Sequence, residues 1–448
     1  MYWISKTIHQ LGRGRRRLLI LLAVLGPGII TMVADNDAGG ISTYAQTGAK
    51  TGFNLLWAFI ILVPMAYYVQ EMTVRLGAVT KRGHAEAIFD GFGPFWGWFS
   101  IFDLALINWL TLVTEYIGMT QAMKLFNIPP VLTSLGVTAL MFGIVVSGKY
   151  WTFEKITFVF CLFNLVYIPA AIWAMKTGNV NEGWMAVGKG FIAPHFNQGF
   201  TANLIMLIMA NIGTTITPWQ IFFQQSAVVD KGMDVRDIKY GKIDTFVGSM
   251  VTCIVAVFII IATAGAFYYH KAPDGTPAPI SVESAAQTAD LMPQVMPNQH
   301  WGQWARVLFA IGLFDAGLLG ALCISLSTSW ALGEVFGWAH SLNKSVREAP
   351  WFYVAYVLML LSAAVVALVS TEAIQNIITI FVQVVAVTLL PSALFFLILI
   401  LNDKSVMGQY TNTRWQNIVN WGIAIFVVAI STLYAVSTIF PEWFGSKA

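Results

Sequence analysis

The chain has 448 residues, of which 57% are hydrophobic and only 10% are charged. Soluble globular proteins carry about 25% charged residues and roughly 45–50% apolar ones. This composition excludes a soluble enzyme and predicts an all-α polytopic membrane protein. The net charge of +3 gives no reason to expect a nucleic-acid partner. We therefore expect the lipid bilayer and a small solute as partners, and we expect a monomer.

Apolar runs of about 18 or more residues, the length that crosses a bilayer as a helix, occur eleven times along the chain. They begin near Leu18, Phe53, Pro94, Val131, Trp151, Thr201, Ile243, Gly302, Trp351, Ala373 and Gln416. The longest polar segment between them, 271–300, is rich in Pro, Ala, Gln and Asp, and we expect a flexible surface loop there. All three cysteines lie in apolar runs, which indicates buried small side chains rather than disulfides or a metal cluster: Cys161, Cys253 and Cys323.

Lysine and arginine are concentrated on one side when the eleven runs are threaded alternately through a bilayer. Cytoplasmic loops of membrane proteins carry the excess of these residues. The bias predicts a cytoplasmic N-terminus, and an odd number of spans then places the C-terminus outside. We expect a multi-pass protein of the cell (inner) membrane.

Two of the apolar runs contain polar interruptions. "VADNDAGG" (33–40) places Asp35 and Asp37 in the first run, although a charge at the bilayer centre costs roughly 3 kcal/mol or more. In the sixth run, "ANIGTTITPWQIFFQQS" (210–226), Pro218 removes a backbone hydrogen bond and disfavours helix at Thr217. Broken helices at corresponding positions of two five-span halves are typical of transporters with inverted repeats and a midplane site. We predict unwinding near 36–40 and 214–218, with the two breaks facing each other.

Several segments resemble the Nramp divalent-metal transporters. The run 26–57, with its Gly-Pro-Gly triplet and the tetrad Asp37-Ala38-Gly39-Gly40, is similar to the first helix of that family and its Asp-Pro-Gly-Asn metal motif. "TEYIG" (114–118), "ITPWQ" (216–220) and the run 381–408 are similar to the third, sixth and tenth helices. In order and spacing, the similarity spans about 20 to 410.

The resemblance implies a fold and a class of function. It implies a LeuT-like inverted 5+5 repeat over about 18–401 and an extra eleventh helix at 414–440, which together make 1–448 a single transmembrane transporter domain. It also implies a transporter that is not an enzyme and has no cofactor, because the metal ion is its cargo.

The resemblance also assigns a site, residue by residue. Asp37 matches the metal-binding Asp of the family, while Gly40 replaces an Asn ligand and Thr217 replaces a thioether Met ligand. Glu115 keeps the place of a third-helix Glu. The predicted metal site comprises Asp37, Asp35, Gly40, Thr214, Thr217 and Gln383, and the candidate pathway acids are Glu115 and Asp315. Of these, Asp35 and Asp315 have no obvious counterpart in the family and are included as acids within apolar runs. Structural alternatives stay open: Asp35 as a helix cap, Thr217 as a backbone-bonding helix residue, Gln383 as a bridge between helices, and both pathway acids as buried structural groups.

The departures from the family pattern favour Mg²⁺ as the cargo. Soft thioether ligands suit soft transition metals, whereas carboxylate, carbonyl and water oxygens suit Mg²⁺, Ca²⁺ and Mn²⁺. Mg²⁺ usually keeps several waters, and small residues at 38–40 leave room for a partly hydrated ion. The chain is therefore most similar to the Nramp-related magnesium transporters.

Proton coupling loses its usual carriers in this sequence. Leu112 and Trp219 occupy places that the family links to proton movement, and no histidine lies in the middle of a predicted span. We therefore expect no obligate proton coupling. The main alternative is a proton-coupled Mn²⁺ or Fe²⁺ importer of the ordinary Nramp type. A Na⁺-coupled organic-solute transporter fits the acidic first break poorly, and a membrane enzyme is disfavoured because no nucleophile–base pair is evident.

Overall fold

The computed structural model describes residues 25–177, 180–192, 199, 201–272, 274–296 and 298–440. Helices dominate these ranges, as the all-α prediction requires. In chain order they are α1 (Pro27–Val33), α2 (Ala38–Thr51), α3 (Leu56–Thr80), α4 (His84–Phe92), α5 (Pro94–Lys124), α6 (Pro130–Val146), α7 (Tyr150–Phe163), α8 (Tyr167–Thr177), α9 (Trp184–Ile192), α10 (Ala202–Gly213), α11 (Pro218–Asp230), α12 (Ile238–Thr263), α13 (Ala285–Val295), α14 (Gln299–Phe336), α15 (Pro350–Val369), α16 (Glu372–Asn402), α17 (Lys404–Met407) and α18 (Arg414–Ile439). A 3₁₀ turn (Asn164–Val166) joins α7 to α8, and a π-helical turn (Ala264–Tyr268) extends α12.

Nine helical spans within the described ranges are long and apolar enough to cross a membrane. In this set α7 with α8 forms one span, as do α10 with α11 and α12 with its π-helical turn. The broken pair α1–α2 and the 17-residue α6 occupy the remaining two predicted positions. At a rise of 1.5 Å per residue, α6 is about 25 Å long. The predicted start near Leu18 lies outside the described residues.

The spans fall into two halves of opposite direction. Five crossings lie between the start of α1 and the end of α8, and the next five run from α10 to α16. Because five is odd, the second half enters from the opposite face of the bundle and is inverted relative to the first. Each half opens with its broken helix. We call the end where α1 begins the first face and the other end the second face.

The broken helices lie at the centre of the bundle. Every residue of α1 is buried, and so are nearly all residues of α2 and α11. The last helix, α18, packs against α16 and α10 at the periphery and exposes most of its length. Large apolar side chains such as Phe95, Phe102 and Trp415 point outward, as a surface in contact with hydrocarbon requires.

The prediction of a flexible loop over 271–300 is wrong for its second half. Residues 285–295 form α13, which Ser284 caps by accepting the N–H of Gln287 at 3.1 Å. The buried face of α13 carries Ala289 and Met292 and packs against α14. The helical spacing of these small apolar residues was obscured by Pro293 and by the polar composition of the segment.

The cysteine prediction is confirmed, since all three cysteines are free and buried. Four of the six histidines fall in the described ranges, and they lie near the ends of helices or in loops, as predicted: His84, His270, His300 and His340. His9 and His195 lie outside the described residues.

Candidate functional site

The first helix breaks where capping residues replace apolar ones. α1 ends at Val33, and Asp37 begins α2 by accepting the N–H of Gly40 at 2.6 Å with Oδ1. Asp and Asn are favoured helix caps because their side chains bind free backbone N–H groups. The break therefore covers residues 34–37, slightly before the predicted 36–40.

Gly39 and Gly40 belong to the first turn of α2 and do not form the break. A Cβ at Gly39 would lie 2.1 Å from Nε2 of Gln383, and one at Gly40 would lie 3.1 Å from the carbonyl oxygen of Asp35. The glycine pair is thus required for close approach of other groups rather than for bending. Gly40 contributes no side chain, and its N–H is already used by Asp37.

The sixth span breaks at the predicted position, where α10 ends at Gly213 and α11 begins at Pro218. Thr217 caps α11, and Oε1 of Gln220 accepts the N–H of Thr217 at 2.9 Å. A Thr followed three residues later by Gln is the capping-box pattern, and proline suits the first helical position because it has no N–H to leave unpaired. Local sequence alone accounts for this break.

The two breaks face each other, as predicted. Oγ1 of Thr217 donates to Oδ1 of Asp35 at 3.2 Å. A Cβ at Gly40 would lie 3.4 Å from Cβ of Thr214. Helix α16 completes the arrangement, because Gln383 lies against Gly39. The structure therefore brings together all six residues predicted for the metal site.

The site holds an excess of unpaired oxygen atoms. Five buried side-chain oxygens in these segments have no hydrogen-bond partner among the described residues: Asp35 Oδ2, Asn36 Oδ1, Asp37 Oδ2, Thr214 Oγ1 and Gln383 Oε1. Buried polar atoms in folded proteins are nearly always paired. This concentration indicates a polar ligand. Three or more His, Cys, Asp or Glu residues do not gather into a metal cluster anywhere in the described ranges. The unpaired atoms are two carboxylate oxygens and three neutral oxygens.

Asn36 is the residue that the sequence prediction missed. Its Nδ2 donates to the carbonyl oxygen of Thr252 at 3.2 Å, which joins the break to α12. Its position between two acids in an apolar run was the available signal.

Gln383 lines the site and does not bridge helices. Neither its Oε1 nor its Nε2 has a hydrogen-bond partner among the described residues. Its backbone also approaches the other break, because a Cβ at Gly213 would lie 2.0 Å from the carbonyl oxygen of Gln383. One residue of α16 thus contacts the segments next to both breaks.

Glu115 lies beside Asp37 and holds the start of α2. Its Oε2 accepts the N–H of Ala38 at 3.0 Å, and its Oε1 accepts from Oγ1 of Thr114 at 3.3 Å. A Cβ at Gly320 would lie 3.0 Å from Cβ of Asp37 and 3.1 Å from Oε2 of Glu115. The first N–H groups of a helix have no partner within it, so Glu115 satisfies one that the break exposes.

Asp315 is not part of this arrangement. It lies on α14 at 5% exposure, and its hydrogen-bond partner is Asn164, at the end of α7. Trp219 occupies a place that the resembled family links to proton movement. Its ring packs edge to face on Phe223, with ring centroids 6.0 Å apart. Leu112 is buried on α5.

On the side of the site that faces the second face, hydrogen bonds join α2 to α10 and to the break that follows α10. A cavity of about 840 Å³ opens at that face between the ends of α2 and α10 and the π-helical turn. Nearer the breaks, Nδ2 of Asn211 donates to Oγ1 of Thr47 at 2.7 Å, and the hydroxyl of Tyr44 donates to the carbonyl oxygen of Thr214 at 3.1 Å. These contacts separate the cavity from the site.

At the first face, charged groups surround the start of α1. Asp244 on α12 accepts the N–H groups of Gly26, Gly28 and Ile29 at 2.6–3.3 Å. Lys231 pairs with Glu154 at 2.6 Å, with both side chains almost fully buried. Among the described residues, hydrogen-bonded or ion-paired groups therefore lie on both sides of the site.

Comparison with known proteins decides the family. The Nramp family, described as natural resistance-associated macrophage protein-like, matches residues 28–437. This chain belongs to the Nramp family. A divalent metal cation transporter, MntH, of Staphylococcus haemolyticus is 25% identical and aligns over 98% of this chain and 97% of its own length. The metal transporter Nramp3 of rice is 22% identical over 93% of this chain and 74% of its own length.

Solved structures of transporters share the fold. The Eremococcus coleocola manganese transporter, in complex with an aromatic bis-isothiourea compound, superimposes with a TM-score of 0.76 at 20% identity, over 98% of this chain and 90% of that one. MhsT bound to L-phenylalanine, a LeuT-fold protein, gives a TM-score of 0.60 at 14% identity, over 94% and 98%. The predicted LeuT-like fold is confirmed. The chain is a multi-pass membrane protein of a transporter family, in which a metal is cargo and not a cofactor.

Proposed function

We propose that this divalent metal cation transporter of the Nramp type imports Mg²⁺ as a partly hydrated ion, without obligate proton coupling. It then belongs to the Nramp-related magnesium transporter branch. The chain acts as a monomer in the cell (inner) membrane, with its N-terminus in the cytoplasm and its C-terminus outside. The residues 1–448 form a single transporter domain, with the repeat core at about 18–401 and an extra helix at 414–440.

The observation that carries this proposal is the all-oxygen donor set between the two breaks. Asp37 and Asp35 supply charge, and Thr214 and Gln383 supply neutral oxygens. Thr217 stands where a sulfur ligand would favour soft ions. Oxygen donors favour hard cations, and Mg²⁺ is commonly bound through one or two carboxylates and several retained waters.

Neutral oxygen atoms suit a partly hydrated ion because they can accept hydrogen bonds from its water molecules. A hydrated Mg²⁺ presents hydrogen-bond donors to the surrounding oxygens, whereas a stripped ion needs near-ideal octahedral contacts at about 2.0–2.1 Å. Gly39 and Gly40 add no side-chain volume next to Asp37. Asp37 is the direct or nearest ligand, Asp35 supplies the second charge, and Gly40 provides space.

The membrane potential supplies a sufficient driving force. One elementary charge gains about 2.3 kcal/mol per 100 mV, so a divalent ion gains about 4.6 kcal/mol. That energy supports an accumulation of roughly three orders of magnitude at equilibrium, since each 1.4 kcal/mol is tenfold. Transport therefore needs no proton partner.

One observation favours the alternative, a proton-coupled Mn²⁺ or Fe²⁺ importer. Glu115 lies next to Asp37, where an arriving cation would displace a proton most readily. Both oxygens of Glu115 already accept hydrogen bonds, however, from Ala38 and Thr114. We therefore assign Glu115 a structural role, in which its carboxylate accepts the N–H of Ala38 at the start of α2.

Metal competition in proteoliposomes tests the choice of cargo. Purified protein should support Mg²⁺ influx, and a tenfold excess of external Mn²⁺ should compete weakly. Asp37→Ala should abolish the influx. Strong inhibition by Mn²⁺ at concentrations far below that of Mg²⁺ would instead assign the protein to the ordinary Nramp type.

A further inference from the structure

A second buried polar cluster lies between the fifth and eighth spans, away from the two helix breaks. It is formed by Asp315 on α14 and by Asn164 and Tyr167 at the 3₁₀ turn between α7 and α8. Nδ2 of Asn164 lies 3.4 Å from Oδ2 of Asp315, which is long for a hydrogen bond. Asn164 and Tyr167 are fully buried, and Asp315 is 5% exposed.

The Asp315 carboxylate lacks a counter-charge. Across the described ranges, no Lys, Arg or His lies within ion-pair distance of it. A buried carboxylate without a compensating positive charge is strongly disfavoured. An ion bound at the transport site does not balance this charge. Asp37 contacts α14 at Gly320, which is about 7.5 Å along the helix from Asp315. The carboxyl group must be neutralised by a proton or by a bound cation.

Two further oxygen atoms distinguish these possibilities. Oδ1 of Asn164 and the hydroxyl of Tyr167 are buried and have no hydrogen-bond partner among the described residues. After half a turn of the Asn164 amide, a proton on Asp315 can be donated to Oδ1 of Asn164, but the Tyr167 hydroxyl stays unpaired. A bound cation would satisfy all three groups, because half a turn of the Asn164 amide aims Oδ1 at the carboxylate.

The position of the Tyr167 hydroxyl is fixed by packing. Its ring meets Phe309 edge to face, with centroids 5.0 Å apart. A Cβ at Gly312 would lie 2.6 Å from the hydroxyl oxygen. Phe309, Gly312 and Asp315 follow one another at three-residue spacing along one face of α14, so the hydroxyl lies about one helical turn from the carboxylate. The absent side chain of Gly312 makes room for it.

We propose that Asp315, Asn164 and Tyr167 form a Na⁺ site between the fifth and eighth spans, separate from the transport site. One carboxylate balances one positive charge, whereas a divalent ion would remain undercompensated in this surrounding. Carboxylate, amide and hydroxyl oxygens are hard donors, which suit a small alkali cation. The bound ion ties the 3₁₀ turn of the fifth span to α14 and so stabilises the packing of these two spans. This site does not depend on Mg²⁺ being the cargo.

Thermal unfolding of the purified full-length protein in detergent tests the proposal. At constant ionic strength and without divalent ions, replacing choline with Na⁺ should raise the melting temperature saturably, by about 2 °C or more. Asp315→Asn should remove the shift. Tyr167→Phe, which keeps the ring contact with Phe309, should raise the half-saturating Na⁺ concentration by at least about threefold.

Two control variants locate the effect. Asp103→Asn removes another buried acid, on α5 beside Ser392, and should keep the full Na⁺ shift. Asp37→Ala should also keep it, which separates this site from the transport site. The proposal is overturned if Na⁺ and choline give the same melting temperature, or if the shift survives in Asp315→Asn. If Asp315→Asn does not fold, an unchanged Na⁺ titration in Tyr167→Phe overturns it equally. A melting temperature that responds to pH but not to Na⁺ would assign a proton to Asp315 and refute the Na⁺ site.

Discussion

Replacing Asp37 by Asn or by Ala separates the charge of this residue from its role as a helix cap. Oδ1 of Asp37 accepts the N–H of Gly40 and begins α2. Asn caps helices about as well as Asp, whereas Ala costs about 1 kcal/mol. We expect Asp37→Asn to keep the free energy of unfolding of the wild type and Asp37→Ala to lose about 1 kcal/mol, while both lose Mg²⁺ transport.

The expected loss of Mg²⁺ affinity follows from the charge that is removed. At an effective dielectric constant of 20, two unit charges 4 Å apart interact by about 4 kcal/mol, so a divalent ion and a carboxylate interact by about 8 kcal/mol. Retained water and the nearby Asp35 carboxylate offset most of this energy. If only a quarter, about 2 kcal/mol, is lost, the affinity falls by about 30-fold.

Isothermal titration with Mg²⁺ and thermal unfolding measure the two effects on the same samples. Asp103→Asn is the matched control, because it removes a buried carboxylate outside the site and should keep Mg²⁺ binding. The reasoning fails if Asp37→Asn binds and transports Mg²⁺ within about threefold of the wild type.

Three further changes test individual contacts. Thr217→Met combined with Gly40→Asn should improve competition by Mn²⁺ against Mg²⁺ uptake by about tenfold or more, because a soft ligand is restored; unchanged competition in the folded double variant would place selectivity elsewhere. Gly39→Ala should destabilise the fold by about 1–3 kcal/mol through the clash with Gln383, and adding Gln383→Ala should recover much of that loss in thermal unfolding; strictly additive losses would refute the clash. Glu115→Gln should keep most Mg²⁺ influx in proteoliposomes, since Gln still accepts the N–H of Ala38, and a complete loss would contradict a holding role.

The sequence was sufficient for features set by local chemistry. Asp35 and Asp37 stand out because charge within an apolar run is costly. The break at Thr217 and Pro218 follows from capping and proline geometry, so it was predicted at the correct residues. The first break was predicted at 36–40 and lies at 34–37, because Asp37 caps the next helix and the glycine pair belongs to its first turn.

Features that depend on contacts between distant segments could not be predicted in this way. The hydrogen bond from the N–H of Ala38 to Glu115 joins residues 77 positions apart, and no local sequence pattern predicts it. The close approach of Gln383 to Gly39 depends on how α16 packs against α2. Asp315, like Asp37, is an acid within an apolar run, yet tertiary packing places it against the fifth span and away from the breaks.

The central claim, uncoupled entry of Mg²⁺, is tested most directly by recording Mg²⁺ influx and lumenal pH together. Proteoliposomes containing the wild-type protein and a lumenal dye for each ion would be given an inside-negative potential in the presence of external Mg²⁺. We expect influx to rise with the potential while lumenal pH stays constant. A lumenal acidification that tracks Mg²⁺ entry and disappears in Glu115→Gln would contradict the account and make Glu115 the proton carrier.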